Sequence, residues 1–222
     1  EKSRLVSENL RLRALLPLFE SGKAFFAETV EEELLRTVPR TLLRDANADR
    51  ATLWLSAEDG SLSLHASHCR EDADEAGQGL TDLSPVAAKV AEQASPMLLR
   101  RDLYPEGLQP PSDFAGSAIL TPLLCKSTVQ GVLSVERAHG KPDFEESDLE
   151  MVFIQCGQAA AALENARLYE RLRRLHLEMV AVLANTLEAR DSATGNHCQN
   201  IGDLSVATGR RLGLGDEEVR IL

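Results

Sequence analysis

The sequence has no close pair of cysteines. Cys69, Cys125, Cys156 and Cys198 are widely scattered and form no C-x-x-C. That spacing argues against a zinc site or a disulfide framework and fits a reducing cytoplasm. Long apolar runs are also missing. Each is short and broken by charge, so no segment is expected to span a membrane. No charged-then-apolar leader follows Glu1 and no Met precedes it, which reads as an excised piece without a signal peptide. Positive charge is in deficit: 24 Lys and Arg face 35 Asp and Glu, for a net charge of -11. Such a surface repels phosphate backbones, so a nucleic-acid polymer is not an expected partner. A nucleotide could still enter a locally basic pocket.

What is present suits one domain with appended helices, or two small domains. The chain has 222 residues, 43% hydrophobic and 27% charged, ordinary values for a globular protein. Residues 1–20 read as a dimerisation helix. Leu5, Leu12 and Phe19 share one heptad position, and Asn9 and Leu16 the other. An Asn in such a seam can fix register between two parallel strands. The other reading is a short amphipathic helix packed on its own domain. Pro17 interrupts the seam and should kink the helix or begin a new one.

Residues 24–46 read as a second helix, with Phe25, Phe26, Val30, Leu34, Leu35, Val38, Leu42 and Leu43 at three- and four-residue spacing, and Pro39 as a bend. Strands follow at 50–56 and 61–68 around an Asp59-Gly60 turn, with Leu62, Leu64 and Ala66 on one face. Ser84-Pro85 opens a helix to about Gln93. A short strand at 96–100, a loop at 101–115 and a strand pair at 117–125 and 129–137 precede one very long helix from Asp143 to about Leu187.

That order, with Gln130-Gly131-Val132-Leu133-Ser134-Val135, then Phe144-Glu145-Glu146-Ser147-Asp148-Leu149, then Glu164-Asn165-Ala166-Arg167-Leu168-Tyr169-Glu170, resembles the GAF family of small-molecule sensor domains. The likeness covers about residues 21–172. It implies an α+β fold, an antiparallel sheet flanked by helices, with long coiled-coil-like helices at both ends. It also implies a ligand pocket between the sheet and residues 79–115, where Arg100, Arg101 and Asp102 could orient a polar, so far unspecified, small molecule. A solvated loop cluster is the other reading of those charges. GAF domains that bind cyclic nucleotides carry Asn-Lys after the last strand. Here Glu136-Arg137 stands there, with only Phe144 and Asp148 retained, which argues against such a ligand.

Along the long helix, Leu149, Val152, Cys156, Ala159, Leu163 and Ala166 keep a heptad spacing. Beyond Arg167 the seam shifts to Leu168, Leu172, Leu175, Met179 and Val182. The stutter implies two competing packings, suited to carrying a signal; a plain dimer stalk is the other reading. A parallel homodimer is expected either way. Arg171, Arg173 and Arg174 read as a solvated face paired with Glu164, Glu170 and Glu178.

Residues 173–222 contain Glu188-Ala189-Arg190-Asp191, Thr194, His197, Arg210-Arg211-Leu212-Gly213-Leu214 and Asp216-Glu217-Glu218. They resemble the opening of the HD-GYP family, metal-dependent phosphodiesterases that hydrolyse cyclic di-GMP. The resemblance implies a truncated, all-α start of an output domain. It makes His197 a metal ligand in a full-length parent, with iron, manganese or a similar divalent ion. Neither a His-Asp pair nor Gly-Tyr-Pro occurs in the sequence, so no catalytic residue and no cofactor are expected in this chain itself. Asn200 stands where the family commonly has Arg. Gly202 and Gly209 weaken their helix by about 1 kcal/mol each relative to Ala. Those departures leave a degenerate output as an alternative. Leu183, Ile201, Leu204, Leu212 and Leu214 would bury against later helices of such a domain. His65 and His68 do not converge as ligands, because strand alternation puts His68 with Leu62 and Leu64 and turns His65 away. Cys125 reads as a small buried hydrophobe.

Overall fold

The computed structural model describes residues 17–57, 59–70, 82–100, 104, 107–108, 114, 116–138, 140–190 and 197–219. The heptad positions Leu5, Asn9, Leu12 and Leu16 lie outside them. The chain divides into two compact units, Glu1–Arg167 and Leu168–Leu222.

The first described helix, α1, covers 17–27 and is followed by α2 at Glu31–Asp45. The single helix expected over 24–46 is therefore two. The break falls at residues 28–30, where the Glu28 carboxylate accepts from the backbone N–H of Thr29 (2.9 Å) and Val30 (3.0 Å). A side chain that satisfies these donors competes with the helix ladder and starts a new helix instead. Pro39 sits inside α2 without ending it.

Five strands follow as β1 (Arg50–Ser56), β2 (Leu62–Cys69), β3 (Met97–Leu99), β4 (Ser117–Cys125) and β5 (Thr128–Arg137), with α3 (Ser84–Gln93) between β2 and β3. They form one sheet in the order β2-β1-β5-β4-β3, every pair antiparallel. Just before α3, Asp82 Oδ1 accepts from Ser84 N (3.0 Å) and Ser84 Oγ (2.5 Å). Gly60 turns the β1–β2 hairpin at φ 81°, a conformation without steric cost only for glycine.

The sheet buries both faces. On one, Leu53, Leu133, Val135, Ile119 and Leu123 pack with Leu34 and Leu42 of α2 and with Val152, Cys156, Ala159 and Leu163 of the long helix α4 (Glu146–Arg190). On the other, Trp54, Leu120, Val132 and Leu99 pack with Val86, Ala87 and Val90 of α3.

Two expectations change here. In β2, Leu53 opposes Ala66 but Trp54 opposes Leu64, so His65 is an extra residue. A bulge switches the facing of everything beyond it. Residues directly opposite share a face; His68, opposite Ala51, therefore lies on the α2 side, while Leu62 packs with the Trp54 layer and Leu64 is exposed. Leu62 and His68 do not share a face. Along α4, the seam from Val152 to Ala166 is buried against the chain's own sheet. It is an internal core stripe, not half of a dimer seam. The phase change near Arg167 separates two different uses of the helix.

In the second unit, α4 continues to Arg190, α5 spans His197–Arg211 and α6 spans Asp216–Val219. Leu168, Leu172, Leu175, Met179 and Val182 are all at least half exposed, and Ile201, Leu204 and Leu212 are exposed too. The Arg210-Arg211-Leu212-Gly213-Leu214 run is a helix stop. Gly213 takes φ 80°, and the N–H groups of Gly213 and Leu214 return to the carbonyls of Arg210 and Gly209, each at 3.1 Å, satisfying the last orphan carbonyls. Gly215 N then donates to Glu218 Oε2 at 2.9 Å and starts α6.

Candidate functional site

The Trp54 face of the sheet is the candidate ligand site. Strand alternation brings Arg50, Thr52 and Trp54 of β1 beside Glu136, Ser134 and Val132 of β5, their direct partners. Ala118 and Leu120 of β4 extend the floor, and α3 lies over it. The pair Arg50–Glu136 is buried and bidentate: Nε to Oε1 at 3.0 Å and Nη2 to Oε2 at 2.5 Å. Thr52 Oγ1 and Ser67 Oγ share a hydrogen bond at 3.2 Å. Ser134 is fully buried, and its hydroxyl has no hydrogen-bond partner among the described residues.

Two consequences follow from this geometry. The guanidinium on the floor is matched by a carboxylate, so the floor offers no net positive charge to an anion. On this face Trp54, Leu83, Leu99, Phe114 and Leu120 are all buried. Tyr104 meets the Phe114 ring edge-on, with centroids 5.8 Å apart at 67°. Burial raises the Tyr104 pKa, and the nearby Asp82 carboxylate adds to it. The phenol stays neutral.

Arg100 does not face this floor. Its Nε and Nη2 donate to the Phe144 carbonyl at 3.0 and 2.5 Å, on the side where Leu98 and Phe144 join the α4 core. Arg101 and Asp102 lie outside the described residues. So does the side chain of His197, whose backbone opens α5. Among the described residues no group of three His, Cys, Asp or Glu is placed to hold a metal ion. His65 is exposed. His68 is half-buried, its pKa lowered first by burial and then by the positive charge of Arg40. Cys125 is half-buried and Cys156 buried. Thr121 Oγ1 donates to Cys156 Sγ at 2.7 Å, yet burial pushes that thiol up to about 12, so it is unreactive.

The residues that partly match the nucleotide-binding pattern have another task. Arg137 Nη2 donates to the Ala46 carbonyl at 2.8 Å, and its Nη1 reaches Asp148 Oδ2 at 3.5 Å. Asp148 Oδ2 also accepts from Glu145 N at 2.9 Å, which caps α4. Arg137, Phe144 and Asp148 thus clamp the start of α4 on the face away from Trp54. The buried pair Arg50–Glu136 escapes a reading of the sequence, because only the β1–β5 register brings the two together.

The sequence matches the GAF domain family over residues 28–164. The chain belongs to the GAF domain family. Solved structures agree in fold. The GAF domain of a phosphoenolpyruvate-protein phosphotransferase from Coxiella burnetii is 20% identical, covering 72% of this chain and 98% of that one, with a TM-score of 0.54. Free methionine-R-sulfoxide reductase from Neisseria meningitidis, solved with its substrate, is 18% identical over 71% of this chain and 93% of that one, with a TM-score of 0.55. A GAF domain/HD domain protein from Geobacter sulfurreducens is 12% identical over 65% and 98%, with a TM-score of 0.50. No curated protein matches the chain. GAF domains are sensory and regulatory modules, and this one has the five-stranded antiparallel sheet between helical layers. No helix among the described residues is long and apolar enough to cross a membrane.

Proposed function

We propose that this GAF domain is the regulatory part of a cytoplasmic signalling protein. In this reading it works as a parallel homodimer and controls, through α4, an HD-GYP output domain that hydrolyses cyclic di-GMP. The observation that carries the reading is α4. It is one 45-residue helix, Glu146–Arg190, whose first part is the floor of the sensor core and whose later part exposes Leu168, Leu172, Leu175, Met179 and Val182 at heptad spacing. A 3.5-residue apolar repeat suits a second helix running alongside. The motif from Glu188 to Asp216 supports the nature of the output, and one protein of similar fold is described as a GAF domain/HD domain protein. His197 would be a metal ligand there. The described residues provide no further ligands that converge.

The test is to place cysteines near Leu168 in a protein carrying the output domain and crosslink the paired helices in successive registers. Hydrolysis should change between registers. Unchanged hydrolysis in every locked register rejects transmission through α4.

A second reading has its own observation. Among the described residues, apolar side chains pack over the Trp54 face, and the Arg50 guanidinium there is paired with Glu136. Both features favour a GAF domain that takes no small ligand and serves for dimerisation and docking, with a non-catalytic output. The absence of any thermal shift across a panel of metabolites supports that reading, and a saturable shift rejects it.

A further inference from the structure

The helical layer over the sheet contains a buried polar junction between three helices. Gln155 of α4 is fully buried. Its Nε2 donates to Ser21 Oγ of α1 at 3.0 Å and to Asp45 Oδ2 of α2 at 2.9 Å, so both amide hydrogens are used. Its Oε1 is buried without a partner among the described residues. Ser21 is also buried, and its hydroxyl donates onward to the Pro17 carbonyl at 2.6 Å. The Asp45 side chain is only 7% exposed and meets Arg44 Nε at 2.9 Å. It sits in the last turn of α2, where the helix dipole disfavours a carboxylate. One turn along the same contact, a Cβ added at Gly22 would stand 3.1 Å from the Gln158 amide, so α1 and α4 approach closely there.

This arrangement is a poor way to gain stability. An apolar side chain at 155 would leave no orphaned carbonyl oxygen, and buried polar groups are costly when half-satisfied. What it provides is position. A slide of α1 by one turn, about 5.4 Å, would carry Ser21 away and leave a buried amide hydrogen unpaired. We propose that Ser21, Gln155 and Asp45 form a register clasp that holds the helix entering the domain, α1, in one axial position against the helix leaving it, α4. Movement of α1 then reaches α4 directly, through these side chains, without passing the Trp54 face. The consequence for output rests on the function proposed above; the clasp itself does not.

Amide hydrogen exchange on this chain tests it. Gln155→Leu should raise exchange in α1 (residues 21–27) at least tenfold over the unsubstituted chain, while amides of β4 and β5 keep their rates. Ser21→Ala should do the same. The double variant should exceed neither single variant in α1, because each removes the same Ser21–Gln155 bond, the tie of the clasp to α1. Val135→Ala, a fully buried core change, serves as the comparison and should accelerate α1 and the strands alike. Unchanged α1 rates, acceleration equal to that of the strands, or multiplying effects in the double variant would overturn the clasp. Should Gln155→Leu not fold, Ser21→Ala compared with Val135→Ala separates the same outcomes. Failure here leaves the crosslinking test of the output untouched, and failure of that test leaves the clasp standing.

Discussion

The guanidinium carbon of Arg137 lies 4.0 Å from the centroid of the Phe144 ring, stacking the last strand on the loop that starts α4. Phe144 is fully buried and its carbonyl is held by Arg100. Phe144→Ala is therefore expected to cost about 3–5 kcal/mol, read from urea unfolding. Arg137→Ala loses a cation–π contact and a charge-assisted bond to the Ala46 carbonyl, about 1–3 kcal/mol. Equal stability of either variant and the unsubstituted chain would rule out the clamp.

Gly131 explains why the β5 motif opens on glycine. A Cβ there would stand 2.3 Å from the Trp54 carbonyl oxygen, a backbone atom that cannot give way cheaply. Gly131→Ala should destabilise by about 1–3 kcal/mol. Gly157, on the exposed side of α4, meets nothing within 4 Å. Gly157→Ala should stabilise by about 0.5–1 kcal/mol through helix propensity. Opposite shifts in the thermal midpoint are the expected outcome; shifts of the same sign would contradict it.

The strands could be read from the sequence because their burial alternates or runs continuously between turn residues. The long helix could be read from its three- and four-residue apolar spacing. Three features could not. The Glu28 carboxylate, which accepts from the Thr29 and Val30 amides, interrupts an apolar periodicity that runs unbroken from Phe25 through Val30 to Leu34. The His65 bulge adds one residue, which no alternation reveals but which reverses the facing of half a strand. The seam from Val152 to Ala166 has a heptad spacing whether its partner is a second helix or the chain's own sheet, so spacing alone could not choose. The candidate site was legible as a region. Its contents were not, since Arg50 and Glu136 meet only through strand register. Arg100 could have been turned the other way by parity with Leu98.

His68 predicts a dependence on pH. Burial lowers its folded pKa below the ordinary value, and Arg40 adds to this. The unfolded chain then binds the proton more readily than the folded one, so stability rises with pH across this range. The contribution is complete above the ordinary histidine value of about 6.5 and is lost as pH falls through the folded-state value. His68→Gln should flatten the acid limb of stability measured by urea unfolding at a series of pH values. An identical profile in both proteins would remove His68 as the cause.

Breaking Arg50–Glu136 from one side should cost more than removing it whole. Glu136→Ala leaves a buried guanidinium without its bidentate partner, and loss of one member of such a pair costs about 3–5 kcal/mol. The double change Arg50→Met with Glu136→Leu keeps the volume and removes both charges, and is expected to restore most of that loss. The two side chains are 8% and 11% exposed, so water can do little to compensate the single variant. A double-mutant cycle by denaturant unfolding measures the coupling. Additive losses would mean that the charges act independently and that the floor of the Trp54 face is not organised around the pair.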